Sequence, residues 1–190
     1  MEIGHFYECA SLTNVAIPDS MTSIGDHAFY GCASLMNIVI PTNVTSIDDS
    51  TFENCASLHS ITIPDSVTSI GNLVFKDCES LTNITIPDNV TIIGDYVFSG
   101  CSSLTSITIP DGVTSIGDYA FSRCESLTSI TIPYNVVDIK ENAFHSCESL
   151  TSIKIAISDE KFLIVGYYAE VEKDIVAVKE CCEPEKWTQR

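Results

Sequence analysis

Seven cysteines fall at positions 9, 32, 55, 78, 101, 124 and 147, each 23 residues after the last, and Cys181 and Cys182 stand together near the end. Cysteines can pair as disulfides, ligate metals or act as nucleophiles, and the spacing decides among these roles. An exact period places the seven in one column of a repeating unit. They then stack about 4.8 Å apart with their side chains parallel, an arrangement in which the sulfurs do not face one another to pair. Free, buried thiols that behave as small hydrophobes are expected. Such thiols persist in oxidising and reducing surroundings alike, so they leave the compartment open. Cys181 and Cys182 diverge by about 100° on the helix expected there, which directs one inward and one outward.

The remaining reactive side chains are less organised. His5, His27, His59 and His145 occupy four different contexts and have no metal-ligand spacing. Asp19, Asp65, Asp88 and Asp111 follow prolines, while Asp26, Asp95 and Asp118 follow glycines. Stacked about 5 Å apart, these carboxylates either fan into water or share a bridging cation such as Ca²⁺. Solvated turn residues are the favoured reading, because neither an EF-hand nor a nonapeptide calcium repeat is present. Asn43, Asn83 and Asn89 each open an Asn-X-Thr triplet, a pattern that a threonine-rich repeat generates unaided. No phosphate-binding loop, dinucleotide fingerprint, nucleophile elbow or His-Glu zinc pair occurs. The chain is accordingly expected to be no enzyme and to need no cofactor or metal.

What does recur is hydroxyl chemistry. Between the inward-facing apolar positions of each repeat lie Met36 and Val39 in one copy, His59, Ser60 and Thr62 in the next, then Thr82, Asn83 and Thr85, followed by Thr105, Ser106 and Thr108, and by Thr128, Ser129 and Thr131. As neighbours on one sheet they make a nearly uncharged face of small hydrogen-bonding groups, suited to a protein or glycan ligand and able in principle to order water. Threonine also suits exposed strands for its own sake. The face is the expected ligand-binding surface because repeat arrays commonly use it. Met36, Val39 and His59 break the pattern near its N-terminal end, where a partner is sought first.

The elements that must position this face follow from the columns. Leu12, Val15 and Ile17 return as Leu35, Ile38, Ile40 and onward to Leu150, Ile153, Ile155, a strand whose last apolar positions alternate inward. Pro18, Pro41, Pro64, Pro87, Pro110 and Pro133 end it, since proline lacks the N–H that a ladder needs. A second apolar pair, such as Val44 and Ile47, predicts a short extended or 3₁₀-like segment. Gly25, Gly71, Gly94 and Gly117 then allow a positive φ or a close backbone approach. Asp48 and Lys140 share that column, so positive φ is not expected in every coil. "DHAF", "DYAF" and "ENAF" predict a helical turn that carries Phe29, Phe121 and Phe144 inward. One coil alone has two open apolar faces, and only stacking buries them.

Residues 1–155 are therefore expected to form a solenoid with a truncated first coil, six full repeats and a partial seventh. The chain begins inside a repeat, as a piece of a longer protein would. From residue 156 the period is lost. "KFLIVGYY" predicts a strand, and Val171, Ile175, Val178 and Cys182 predict a helix, so 156–190 is expected to form a C-terminal cap. The N-terminal edge, with Phe6, Leu12 and Val15, is expected to be uncapped and available for self-association. Within 190 residues, 45% hydrophobic content argues for a packed core, and no apolar run is long enough to insert into a membrane. A net charge of −17 excludes nucleic acid as an expected partner, with only Lys76, Arg123 and Lys140 basic before residue 150.

The unit "CxSLTxIxIPxxVTxIGxxAFxx", repeated in register over about residues 3–155, resembles the BspA-like, or Treponema pallidum-type, leucine-rich repeat family. The resemblance implies a curved solenoid with a parallel sheet on its concave side, no catalytic residues, and an adhesin-like role at a bacterial or protist surface. The function expected is a non-catalytic protein- or glycan-binding module of a cell-surface or secreted protein. The alternative is an intracellular scaffold that pairs with other subunits.

Overall fold

The computed structural model describes residues 6–156 and the backbone of Ile164–Val165. The coils that begin at Cys32, Cys55 and Cys124 each carry two short strands joined by successive tight turns, those from Cys78 and Cys101 carry one strand and a single bridging threonine, and all the strand pairs are parallel. The first sheet runs through Asn37–Val39, Ser60–Thr62, Ser129–Ile132 and Ser152–Ile155, with the bridges Thr62 to Thr85, Thr85 to Thr108 and Thr108 to Thr131 between the second and third of these. Every pairing in this first sheet joins residues one period apart, Ile130 with Ile153 for example. Register slips are disfavoured, because a shift of one residue would turn the buried isoleucines outward.

The sequence left the segment after the proline open between extended and 3₁₀. It is extended, and it builds a second parallel sheet. Ser23–Ile24, Ser46–Ile47 and Ser69–Ile70 form one part of that sheet. Ile92–Ile93, Ser115–Ile116, Asp138–Ile139 and Ile164–Val165 form the other. No ladder joins Ser69–Ile70 to Ile92–Ile93, so the second sheet is interrupted at mid-array. Ile164–Val165 falls inside the predicted C-terminal strand and extends the second sheet beside Asp138–Ile139. The predicted cap helix lies outside the described residues.

The turns correct the sequence reading in one respect and choose between its alternatives in another. "DHAF" and its equivalents form successive tight turns, with Tyr30 N–H donating to His27 C=O at 3.1 Å and Cys32 N–H to Phe29 C=O at 3.1 Å, and no helix. Positive φ is absent from the Gly25 column and falls instead at two other columns. One is His27, Ser50, Leu73, Tyr96, Tyr119 and Asn142; the other includes Gly31, Asn54, Asp77, Gly100 and Arg123. Neighbouring coils hold this geometry in place. Ser50 N–H donates to Asn72 C=O at 2.9 Å, and Asn54 N–H to Lys76 C=O at 2.8 Å. Such over-determination is what sustains left-handed backbone at residues with a side chain. The glycines serve close approach: a Cβ on Gly71 would lie 2.7 Å from the backbone nitrogen of Asp49.

Inside, the columns predicted for the core are buried. Phe29, Phe52, Phe75, Phe98, Phe121 and Phe144 stack with Phe6 in one file, with ring centroids 5.3 to 5.7 Å apart and planes within 13° of parallel. That spacing lies in the range that aromatic rings prefer when offset-stacked. Leucine, isoleucine and cysteine columns fill the rest, with Leu35, Leu58, Leu81, Leu104 and Leu127 fully excluded from water. Each proline carbonyl accepts the N–H three residues on, as Pro41 does from Val44 at 3.0 Å, which turns the chain out of the first sheet.

Candidate functional site

The first sheet buries alternate residues, so the intervening ones must face outward. Met36, Val39, His59, Thr62, Asn83, Thr85, Thr105, Ser106, Thr108, Thr128, Ser129 and Thr131 are all exposed, and Ser60 and Thr82 are half-buried. The structure thus gathers every predicted position onto one face. Its three columns differ in chemistry. In the first, hydroxyls turn back on the backbone of the preceding coil: Thr105 Oγ1 donates to Thr82 C=O at 3.5 Å and Thr151 Oγ1 to Thr128 C=O at 3.2 Å. In the second, Ser60 Oγ lies 3.5 Å from Asn37 Oδ1, and Asn83 Nδ2 donates to Thr82 Oγ1 at 3.3 Å.

Among the described residues, the third column is free in four successive coils, whereas in the second Asn37, Ser60 and Asn83 are engaged and Ser106 and Ser129 are free. Thr62, Thr85, Thr108 and Thr131 are bridged through their backbones in unbroken succession, which sets equivalent atoms about 4.8 Å apart. Among the described residues, none of their four hydroxyls bonds elsewhere in the chain. Each therefore keeps one donor and its acceptor lone pairs for an external group. In the preceding coils the same column holds Ala16 and Val39, and Val39 is 75% exposed beside Met36 at 53%. The face accordingly changes from apolar at its N-terminal end to hydroxylated over the next four coils.

Two rims border it. On the entry side of the strands, Glu79, Glu125 and Glu148 are exposed, where the earlier copies have Ala10, Ala33 and Ala56. On the exit side stand exposed Asp65, Asp88 and Asp111. Among the described residues, none of these six carboxylates is ion-paired; the pairs present join Lys76 to Glu53 at 2.7 Å and to Asp77 at 3.6 Å, and Lys140 to Asp138 at 2.8 Å.

Away from this face, the polar columns are bound up in the architecture. The carboxylates expected to fan into water do not all do so. Asp26 Oδ1 accepts the N–H of Asp49 at 3.0 Å, Asp49 that of Asn72 at 2.7 Å, Asn72 that of Asp95 at 2.9 Å, and Asp95 that of Asp118 at 2.8 Å. The cysteine thiols form a parallel ladder, Cys55 Sγ donating to Phe29 C=O, Cys78 to Phe52 and Cys101 to Phe75, each at 3.2 Å. Burial pushes the Cys55 thiol up to about 12 and the Cys147 thiol up to about 11, and holds Cys78, Cys101 and Cys124 well above the ordinary thiol range. Cys9 alone in the column is exposed.

Two aromatic groups that the sequence reading missed lie along the turns. Tyr7 stacks on Tyr30 at 4.9 Å with His27 nearby, and Tyr96 stacks on Tyr119 at 5.0 Å with His145 against its edge. Their signal was the return of an aromatic residue after 23 positions in two adjacent copies. No group of three or more potential metal ligands comes together among the described residues.

Stacked 23-residue coils, parallel strands and a leucine-bearing turn define a leucine-rich repeat solenoid. The BspA type leucine rich repeat region matches over residues 2–102 and 68–169, in six copies, and the chain belongs to that family. Among solved structures it is similar to a leucine rich repeat protein of T. pallidum, at 31% identity and TM-score 0.68, covering 75% of this chain and 72% of that one. It is likewise similar to a leucine rich cell surface protein of Faecalibacterium prausnitzii, at 32% identity and TM-score 0.64, covering 78% of this chain. The match spans 49% of that second protein's length. The pneumococcal vaccine antigen PcpA shares the fold at 20% identity and TM-score 0.64, covering 73% of this chain and 34% of that one. None of the curated proteins matches.

Proposed function

We propose that the chain is a non-catalytic binding module of a cell-surface or secreted adhesin-like protein, and that it takes a protein or glycan ligand on the outer face of the first sheet. The observation that carries this reading is the file of Thr62, Thr85, Thr108 and Thr131, four hydroxyls at strand spacing with no partner within the described chain. The first and second columns of the same face each spend some of their hydrogen-bonding capacity on neighbouring coils. The exposed Met36 and Val39 beside the file add an apolar anchor site, and the likeness to a protein described as residing on the cell surface supports the location.

The test is a binding screen of the purified chain against extracellular-matrix proteins and glycans, run beside the variant Thr62→Lys/Thr85→Lys/Thr108→Lys. The expected result is a ligand that binds the parent and loses at least about tenfold in affinity to the folded variant, as three charges placed in a desolvated contact would cause. Equal binding by both would remove the site from this face. Binding by neither would favour the intracellular scaffold that associates through its first coil.

A further inference from the structure

The binding-module reading leaves the ligand class open between protein and glycan, and the distribution of charge around the sheet narrows it. The uncharged floor of Thr62, Thr85, Thr108 and Thr131 is bordered on its exit side by Asp65, Asp88 and Asp111, with Tyr134 in the last coil, and on its entry side by Glu79 and Glu125, with Ala56 and Ser102 in the other two coils. Asp65, Asp88 and Asp111 stand three residues beyond the floor threonines of their own coils, and Glu79 and Glu125 three residues before Thr82 and Thr128. Three residues span at most about 10 Å, so Asp65, Asp88 and Asp111 lie about one Debye length from the floor threonines of their own coils, while Glu79 and Glu125 border the first column at Thr82 and Thr128. Among the described residues these carboxylates have no ion pair; the ion-paired Lys76 and Lys140 belong to the turns, while exposed Lys154 follows Thr131 in the floor column and exposed Arg123 precedes Glu125, which confines a cationic occupant to the coils before Lys154. Over the first coils the entry side has Ala10, Ala33 and Ala56 in place of glutamate, and the exit side keeps Asp19 but has Thr42 in the next coil, where the floor presents Ala16, Met36 and Val39.

We propose that this face docks an extended, cationic polypeptide segment, with an aliphatic side chain seated on Met36 and Val39 and lysine or arginine side chains reaching the rims over the four coils that follow. Three features of the face ask for such an occupant. The free hydroxyls both donate and accept, which matches the N–H and C=O groups of an extended backbone. The two rims together offer negative charge to groups on either side of that backbone, and complementary charge speeds and orients encounter. The apolar end has no use for a sugar hydroxyl but shields an aliphatic chain from water. A neutral glycan would leave the rims unanswered, and an anionic one would be repelled by them.

The inference rests on the sheet-face reading, and the experiment separates the two. The probe is a fluorescent 13-residue peptide of alternating lysine and serine with one terminal leucine, compared with its glutamate counterpart and with a version lacking leucine, by anisotropy. Because the whole chain carries a net charge of −17, the decisive comparison is between equal charge changes. The rim pair Asp88→Asn/Glu125→Gln is set against the distant pair Glu8→Gln/Glu141→Gln.

The expected results are binding of the lysine peptide, a loss of about tenfold in the rim pair against about twofold in the distant pair, and weakening at 0.3 M salt. Met36→Ser/Val39→Thr should weaken only the leucine-bearing probe. Equal losses in the two charge pairs, or equal binding of the glutamate peptide, would overturn the inference. A neutral or anionic ligand lost in the triple lysine variant but kept by the rim pair would also overturn it, while leaving the sheet as the binding face. A ligand kept by the triple lysine variant would remove the sheet itself.

Discussion

A thiol in the cysteine file is held by two things at once, exclusion from water and a carbonyl acceptor in the preceding coil. Phe29 C=O accepts both Cys32 N–H at 3.1 Å and Cys55 Sγ–H at 3.2 Å, which uses both of its lone pairs. The sequence column was enough to read these cysteines as free and buried. The acceptor was not legible, because it lies 26 residues back rather than 23 and its identity depends on how one turn sits over another. Two consequences can be measured together. At pH 8, mass mapping after brief iodoacetamide treatment of the native protein should find Cys9 alkylated and Cys32 through Cys147 protected. Raising the pH should then destabilise the fold. A thiol whose folded pKa lies above its unfolded value keeps its proton when the unfolded chain releases it, so the unfolded state binds fewer protons and stability falls with pH. For Cys55 and Cys147 this window runs from about 9, the ordinary value, to about 12 and about 11. The denaturant midpoint should accordingly drop across it, and less steeply in a Cys78→Ala/Cys101→Ala variant.

A single coil has almost nothing local to hold it, which makes the file of phenylalanines its main support. Phe75 has no exposed surface and lies between Phe52 at 5.7 Å and Phe98 at 5.6 Å. Phe75→Ala should cost about 3 to 5 kcal/mol from lost transfer energy and the cavity left behind. Thr108→Ala, on the exposed face, should change the melting temperature little, and calorimetry on both variants checks the contrast. The reverse ranking would mean that the coil is assigned inside out. Strand, proline stop and core columns were legible because each repeats one residue type for one physical reason. The left-handed turn positions were not, because His27, Ser50, Leu73 and Tyr96 share no composition; what fixes them is an N–H bonded to the next coil. The glycine column marks close approach, the second of the two roles its residues allow. At Gly71 it clears space for the Asp49 backbone rather than supplying a positive φ. The Asp26-to-Asp118 ladder was hidden for the same reason as the thiol acceptor, since carboxylates that repel as bare charges are each given a backbone N–H by the coil beyond.

Across the molecule, the coils are joined by recurring bonds of the first sheet, the turns and the stacked core. Stability in such arrays is close to a sum over units and their boundaries. Removing residues 78–100 joins Asp77 to Cys101 in register and leaves each remaining coil with a neighbour of the same pattern. That shortened chain should fold, with a lower melting temperature. Removing residues 78–99 instead leaves one extra residue at the junction, and that chain should lose its cooperative melting transition and aggregate. Circular dichroism melts and size-exclusion chromatography distinguish the outcomes. The break in the second sheet between Ser69–Ile70 and Ile92–Ile93 matters in another setting, that of a tether under pull. Force applied at the two ends of the array crosses each coil boundary in series. Where both sheets are continuous they carry the load together. At the break the first sheet, the turns and the stacked core carry it alone. A stretched array would part there first, into two blocks that each keep an intact core.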